Sequence, residues 1–270
     1  MISGSERGPR LTRQRPAFLD GVFLLTTVVP TVAGVALIVW ILSLVNWSFV
    51  GTLDFAVLYK YRFALLQGLA NTLLITFLAV AFGLVFGFFL AACQYVPIAP
   101  LRWLISAYIE VLRNTPIVVQ LFWIHFALPE LTGFSTSALQ SGCIAMSLQS
   151  SAYLADLARG GISAVPRGQW DAADALGLSL SVKWVSVILP QAIRIIIPPL
   201  ANISIGLFKL SATLALLSVG ELMTMASRVA TFSFKPIETF TVAGIVYLTI
   251  GYLAGVVTFK LEKIFKRPSA

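Results

Sequence analysis

Apolar residues run along the chain in long blocks rather than in the short alternations of a water-soluble fold. The blocks cover residues 21–45, 64–96, 104–128, 136–157, 187–219 and 240–259. Each is long enough for the roughly 20 residues that a helix needs to cross a bilayer. Pro198-Pro199 interrupts the fifth. The pattern predicts an all-α polytopic membrane protein with about six transmembrane helices. The first block exceeds the ~7–15-residue apolar region of a secretory signal and ends in Leu44-Val45-Asn46-Trp47, so it reads as a retained helix.

Composition points the same way. Of 270 residues, 58% are hydrophobic and 11% charged. Soluble domains carry about 25% charged residues. This excludes a soluble enzyme, a disordered chain and a fibrous protein, and long apolar runs argue against an outer-membrane barrel. The net charge of +8 is placed at segment ends, which suits basic loops facing anionic lipid better than nucleic acid. Arg7, Arg10, Arg13 and Arg15 precede the first block, and Lys260, Lys263, Lys266 and Arg267 follow the last. Arg102, Arg159, Arg167, Lys183 and Arg194 fall in loops on the same side, against Lys60, Arg62, Arg228 and Lys235 opposite. The positive-inside rule then predicts both termini in the cytoplasm. Cys93 and Cys143 sit in apolar stretches without disulfide or metal spacing, and the lone His125 offers neither a metal cluster nor a catalytic partner. No catalytic or metal-ligating set is expected, and His125 reads as a polar contact at the outer interface near Trp123.

The segment between the fourth and fifth blocks carries the most information. Gly168-Gln169-Trp170-Asp171-Ala172-Ala173-Asp174-Ala175-Leu176-Gly177 follows Pro166-Arg167. Pro suits a helix start and Gly the position just past its end. Trp170, Ala173 and Leu176 fall on one apolar edge, while the alanines leave the surface nearly flat. Such a helix seats in a groove on another protein or lies on the bilayer surface. Two aspartates and small side chains favour the groove.

These residues resemble the EAA loop of permease subunits of bacterial ABC importers, with Asp171-Ala172-Ala173 standing for Glu-Ala-Ala and Gly177 for the glycine beyond. The resemblance is to the polar-amino-acid branch and extends over residues 64–260. Gln67-Gly68-Leu69-Ala70-Asn71-Thr72-Leu73, Leu112-Arg113-Asn114-Thr115-Pro116 with Gln120-Leu121-Phe122, Arg159-Gly160-Gly161-Ile162, Leu189-Pro190-Gln191-Ala192 and Pro198-Pro199-Leu200-Ala201-Asn202 stand in that family's order and spacing. One departure is Leu210, after Lys209, where the family carries an aspartate.

The resemblance implies a type I importer fold: a five-helix core (64–260) with a coupling loop at about 160–185. An additional N-terminal helix and periplasmic loop (21–63) precede it, between basic tails at 1–20 and 261–270. It implies a non-catalytic translocation subunit of an ATP-driven amino-acid importer in the bacterial inner membrane. Its partners would be a second permease subunit, two ABC ATPase subunits and a periplasmic amino-acid-binding protein. The chain lacks a GxxxxGK[ST] phosphate loop, so no cofactor is expected in it, and ATP and Mg belong to the ATPases. Gly168, Gln169, Asp171, Ala172, Ala173, Leu176 and Gly177 would couple to the ATPase. The alternative is a self-contained secondary transporter or channel, for which the loop has no purpose.

Polar residues inside spans need partners or a cavity. Glu110 and Arg113, three apart, read either as a self-satisfied pair or as groups beside the transport route. Arg113, Gln120, Asn202 and Lys209 are the candidates for that route. Lys209 is the sharpest, because Leu210 removes its acidic neighbour, leaving it free for a substrate carboxylate or for the outer interface. Asp156 is expected to pair with Arg159, and Glu221 to serve an outer gate or receptor contact.

Overall fold

The structure, a computed structural model, describes residues 24–265. The basic residues Arg7, Arg10, Arg13, Arg15, Lys266 and Arg267 lie outside the described residues. The described chain is helical, with no strand among those residues. It divides between Leu53 and Asp54 into two units.

The first unit contributes α1, Thr26–Ser43, which is long and apolar enough to cross a membrane. Its Ser43 hydroxyl returns to the Trp40 carbonyl at 2.7 Å, and Trp47 Nε1 donates to the Leu42 carbonyl, tying off the last turn.

The second unit holds α2 (Ala56–Cys93), α3 (Ala99–Asn114), α4 (Ile117–Thr132) and α5 (Ala138–Ser163). After them come α6 (Arg167–Ala175), α7 (Leu180–Leu217), α8 (Leu222–Ser233) and α9 (Pro236–Phe265). α2 and α7 are 38 residues each, about 57 Å at 1.5 Å per residue and longer than a ~30 Å hydrocarbon core. α5 is more polar than the apolar spans α1, α2, α7 and α9 and does not pass as a span on composition alone, and about half of it is buried. Ser141, Gln149, Ser150, Ser151, Ala152, Leu154, Ala155 and Ala158 are all buried there. A capping box starts it: Ser137 Oγ accepts from Gln140 N–H, and Gln140 Oε1 accepts from Ser137 N–H.

Without a hydrophobic drive between helices in lipid, close packing of small residues does the work. Gly83 and Gly87, four apart on α2, face Ser150, Ser151 and Ala155 of α5. A Cβ at Gly87 would stand 2.7 Å from the Ser151 carbonyl oxygen, and one at Gly83 would collide with Ser150. The Gln67-to-Leu73 motif also has a structural role. Asn71 Nδ2 donates to the Gly220 carbonyl at 2.6 Å, and Thr72 Oγ1 accepts from Leu222 N–H at 3.0 Å.

The third apolar block is not one continuous helix, contrary to its expected run through 104–128. The chain bends by 105° between α3 and α4. Pro116 disfavours helical backbone at Thr115, whose ψ is 129°. α3 crosses the ends of α2 and α5 instead of rising beside them. Ile105 and Ile109 pack on Leu90 and Ala155, and Tyr108 Oη meets Ser151 Oγ at 2.7 Å. α4 then runs back along α5 through a π turn at Trp123–Ala127, where His125 Nδ1 meets Ser141 Oγ at 2.9 Å.

Candidate functional site

α6 begins after Pro166, whose extended ψ of 134° sets the helix start, and it ends at Leu176. Gly177 follows with φ 62°, the left-handed value expected of a residue just past a helix end. Leu178 N–H donates to the Ala173 carbonyl at 3.1 Å and Gly177 N–H to Asp174 at 3.0 Å. That pair of bonds is the Schellman closure.

The sequence placed Trp170, Ala173 and Leu176 on one apolar edge, but the structure splits them. Trp170 and Ala173 turn onto the chain itself, and Ala173 is 2% exposed, which withdraws it from direct contact with a partner. Trp170 meets the Trp184 ring edge-on at 5.4 Å, and Tyr95 meets the same ring at 5.3 Å. Lys183 Nζ bonds both carboxylate oxygens of Asp174, at 2.6 and 2.7 Å, and lies 5.5 Å from the Trp170 ring centre. Gln169 Oε1 accepts from Gln191 Nε2 at 3.2 Å. α6 is thereby clamped to the first turns of α7. Gly168, Asp171, Ala172 and Leu176, the last 76% exposed, remain on the outer face. Sequence reasoning missed the clamp because Lys183 and Trp184 lie beyond the motif. Their signal was an aromatic and a cation just across the Gly177 turn from Trp170 and Asp174.

Among the proposed path residues, Arg113 does not pair with Glu110. Its guanidinium bonds Asp156 at 2.7 Å, and Asp156 also takes Arg159 at 2.7 Å, as expected of that pair. Glu110 instead holds the Asn114 amide at 2.8 Å. Asp156 is seven residues from the end of α5, about 10 Å by helix rise, so Arg113 sits near the face that carries α6. Its guanidinium is thus already engaged there, on a carboxylate that it shares with Arg159.

Gln120 is 7% exposed and occupied with backbone. Pro116 has no N–H for the Leu112 carbonyl four residues earlier. Gln120 Nε2 fills that role at 2.8 Å, and also reaches the Thr115 carbonyl at 3.0 Å and Gln149 Oε1 at 2.6 Å. The side chain repairs the broken helix. Asn202 is exposed on α7.

Lys209 is the path candidate that reaches a cavity. With Ala212, Met223, Phe240, Ala243, Gly244 and Tyr247 it lines a space of about 350 Å³. Its Cε lies 3.5 Å from where a Cβ would stand on Gly251, the sixteenth residue of the 30-residue α9. That sets the end of the side chain beside the middle of α9, while the cavity it lines runs along the first half of that helix, at Phe240, Ala243, Gly244 and Tyr247. Among the described residues Lys209 takes part in none of the ion pairs. A larger apolar groove of about 540 Å³ opens between α2, α7 and α9, lined by residues that include Phe77, Leu200, Ala201 and Ile250.

Glu221 is not an outer contact. It is fully buried and caps α8, accepting from Met223 N–H at 2.8 Å and Thr224 N–H at 2.6 Å, while Tyr247 Oη donates to it at 3.0 Å. Tyr247 thus joins this buried carboxylate to the Lys209 cavity. Among the described residues no group of three His, Cys, Asp or Glu side chains converges as a metal site.

The comparisons with known proteins agree with this architecture. Residues 83–265 match the family described as binding-protein-dependent transport system inner membrane component. The chain is 38% identical over 198 residues to the probable amino-acid ABC transporter permease protein YckA of Bacillus subtilis, covering 73% of this chain and 87% of that one. It is 34% identical over 198 residues to the arginine transport system permease protein ArtQ of the same organism, covering 73% and 90%. The crystal structure of an amino acid ABC transporter with histidines superposes with a TM-score of 0.75 at 34% identity, over 78% of this chain and 99% of that one. The MetNI methionine ABC transporter in an inward-facing form shares the fold, with a TM-score of 0.67 at 20% identity over 77% and 99%.

Proposed function

The chain belongs to the family of binding-protein-dependent transport system inner membrane components, and from that premise we propose that it is the translocation subunit of an ATP-driven amino-acid importer. Relatives named for amino-acid, arginine and glutamine transport support the substrate class. The observation that carries the reading is the mounting of α6. One face is locked to α7 through Trp170–Trp184 and Asp174–Lys183, and the other offers Asp171, Ala172 and Leu176 outward.

A helix held this way is a lever. ATP and Mg bind to partner ATPase subunits, whose closure displaces α6, and the clamp passes that displacement to α7. α7 has the irregularities needed to bend: a π turn at Lys183–Ile188, Pro198 and Pro199 inside it, and a 3-10 turn at Ser211–Leu217. Between the prolines and the 3-10 turn stands Lys209. An amino acid delivered from outside brings an α-carboxylate into a low-dielectric slab, where it needs a compensating cation or oriented donors. The Lys209 ammonium supplies the cation, and Leu210 leaves it without an adjacent acid.

The full assembly in this reading is two permease subunits, identical or paralogous, two ATPases docked on the α6 face and an external amino-acid-binding protein. The α6 face is cytoplasmic and both termini lie on that side. A self-contained secondary transporter gives the clamped, outward-facing α6 no task. Single cysteines at Asp171 and Ala172 test the docking. Both should cross-link to the co-expressed ATPase, with yields that change when ATP is bound, whereas Ala173→Cys should not. Equal labelling of all three positions, or none, refutes the docking geometry.

A further inference from the structure

On the face that carries α6, the end of α2, the first turns of α3 and the last turns of α5 border an open cavity of about 300 Å³. It is lined by Gln94, Tyr95, Arg102, Ser106, Arg159 and Ser163, each of which bears a polar group. This sets it apart from the apolar groove between α2, α7 and α9.

Its charge is unbalanced. Arg102 is exposed, and among the described residues it takes part in none of the ion pairs. Arg159 shares Asp156 with Arg113, so three guanidiniums stand against that one carboxylate. Glu110, the other acid nearby, lies two turns along α3 from Arg102 and is engaged by Asn114. The carboxamide oxygen of Gln94 is buried with no hydrogen-bond partner, an unmet demand at the cavity wall. Rotating that amide by half a turn presents its N–H2 group instead. Guanidinium forks, hydroxyls and an amide converging on one small space are donors suited to a phosphate.

The surroundings indicate where the phosphate comes from. α3 carries Trp103, Leu104 and Val111 outward, with Trp103 73% exposed, while Ile105 and Ile109 face the core. Tyr95 stacks edge-on against Trp184 at the cavity rim. Tryptophan and tyrosine concentrate at headgroup level, and basic pockets between helix ends bind anionic headgroups. A free phosphate has no use for the apolar side chains of α3, whereas a phospholipid would lay its acyl chains along them.

We propose that this cavity binds the phosphate of an anionic phospholipid drawn from the leaflet on the α6 side, with Arg102 and Arg159 as its cationic ligands. The inference rests on the membrane-embedded reading but not on the identity of the transported substrate.

The test uses the purified assembled importer in neutral detergent, titrated with phosphatidylglycerol and followed by native mass spectrometry. Phosphatidylcholine and inorganic phosphate form the comparison arms. One phosphatidylglycerol per permease chain should be retained ahead of phosphatidylcholine, and millimolar inorganic phosphate should not displace it. Arg102→Gln should weaken retention at least tenfold, and Ser106→Glu, which adds a carboxylate without touching the Asp156 ion pairs, should abolish it. Arg194→Gln, an exposed arginine of α7 outside the cavity, should change nothing. Unchanged retention in either cavity variant overturns the proposal. So does an equal loss in Arg194→Gln, which would mean diffuse surface attraction, and so does displacement by inorganic phosphate, which would assign the cavity to a free anion.

Discussion

Gly177 closes α6 with φ 62°, and a Cβ built there meets nothing within 4 Å. Any penalty for substitution within this chain is therefore conformational rather than steric. A left-handed residue bearing a Cβ costs roughly 1–2 kcal/mol, Asn tolerates that region better, and a β-branched residue is worse than Ala. One or two kcal/mol lowers the population of the closed turn by roughly 5–30-fold. Loss of the turn releases the Leu178–Ala173 and Gly177–Asp174 bonds and frays the end of α6, where Asp174 holds Lys183. The expected order of coupled transport is wild type, then Gly177→Asn, then Gly177→Ala, then Gly177→Val. Uptake per ATP hydrolysed, measured in proteoliposomes containing the whole complex, reads this directly, and membrane insertion should be equal throughout. If Ala and Val couple like wild type, the turn does not transmit motion. If Asn is as damaging as Val, the cause is space against a partner and not the sign of φ.

Other outcomes follow from the same geometry. Trp184→Ala removes the ring between Trp170 and Tyr95, where aromatic pairs contribute about 0.5–1.5 kcal/mol each beyond burial; the ATPase should still co-purify, but hydrolysis should no longer respond to the binding protein. Gln120→Leu strands the Leu112 and Thr115 carbonyls and the Gln149 oxygen, at about 1–3 kcal/mol for a buried unsatisfied group, and should lower the melting temperature of the detergent-solubilised complex. Lys209→Met should leave that melting temperature and ATPase docking unchanged while uptake falls several-fold; wild-type uptake with unchanged apparent affinity would make the lysine structural. Gly87→Leu forces a side chain onto the Ser151 carbonyl and Ala155 N–H and should reduce the amount of assembled complex recovered.

The spans were legible because lipid removes most alternatives, and a long apolar run has little choice but to be helical. The α6 boundaries were legible for a different reason: Pro166 and Gly177 act through backbone conformations that their own chemistry dictates. What the sequence concealed depended on partners far along the chain. Arg113 has an acid three residues away, yet the bend at Pro116 swings α3 across α5 and offers Asp156 instead. Gln120 read as a polar wall of a path because the orphaned Leu112 carbonyl appears only once the bend is known. Glu221 read as an exposed acid after a span, but the chain folds back there and uses it as a buried cap. Lys209 stood out because Leu210 departs from the family pattern, whereas its place beside Gly251, midway along α9, depended on the packing of α7 against α9.

The most direct test of the central claim is uptake by vesicles reconstituted with this permease, its ATPase and its binding protein, offered a panel of labelled amino acids. ATP enclosed on the ATPase side should drive accumulation of at least one of them against its gradient, and only with the binding protein outside. Asp171→Lys, which reverses charge on the outer face of α6, should abolish that accumulation while the permease still inserts. Accumulation driven by a proton or sodium gradient in vesicles that hold the permease alone would contradict the account.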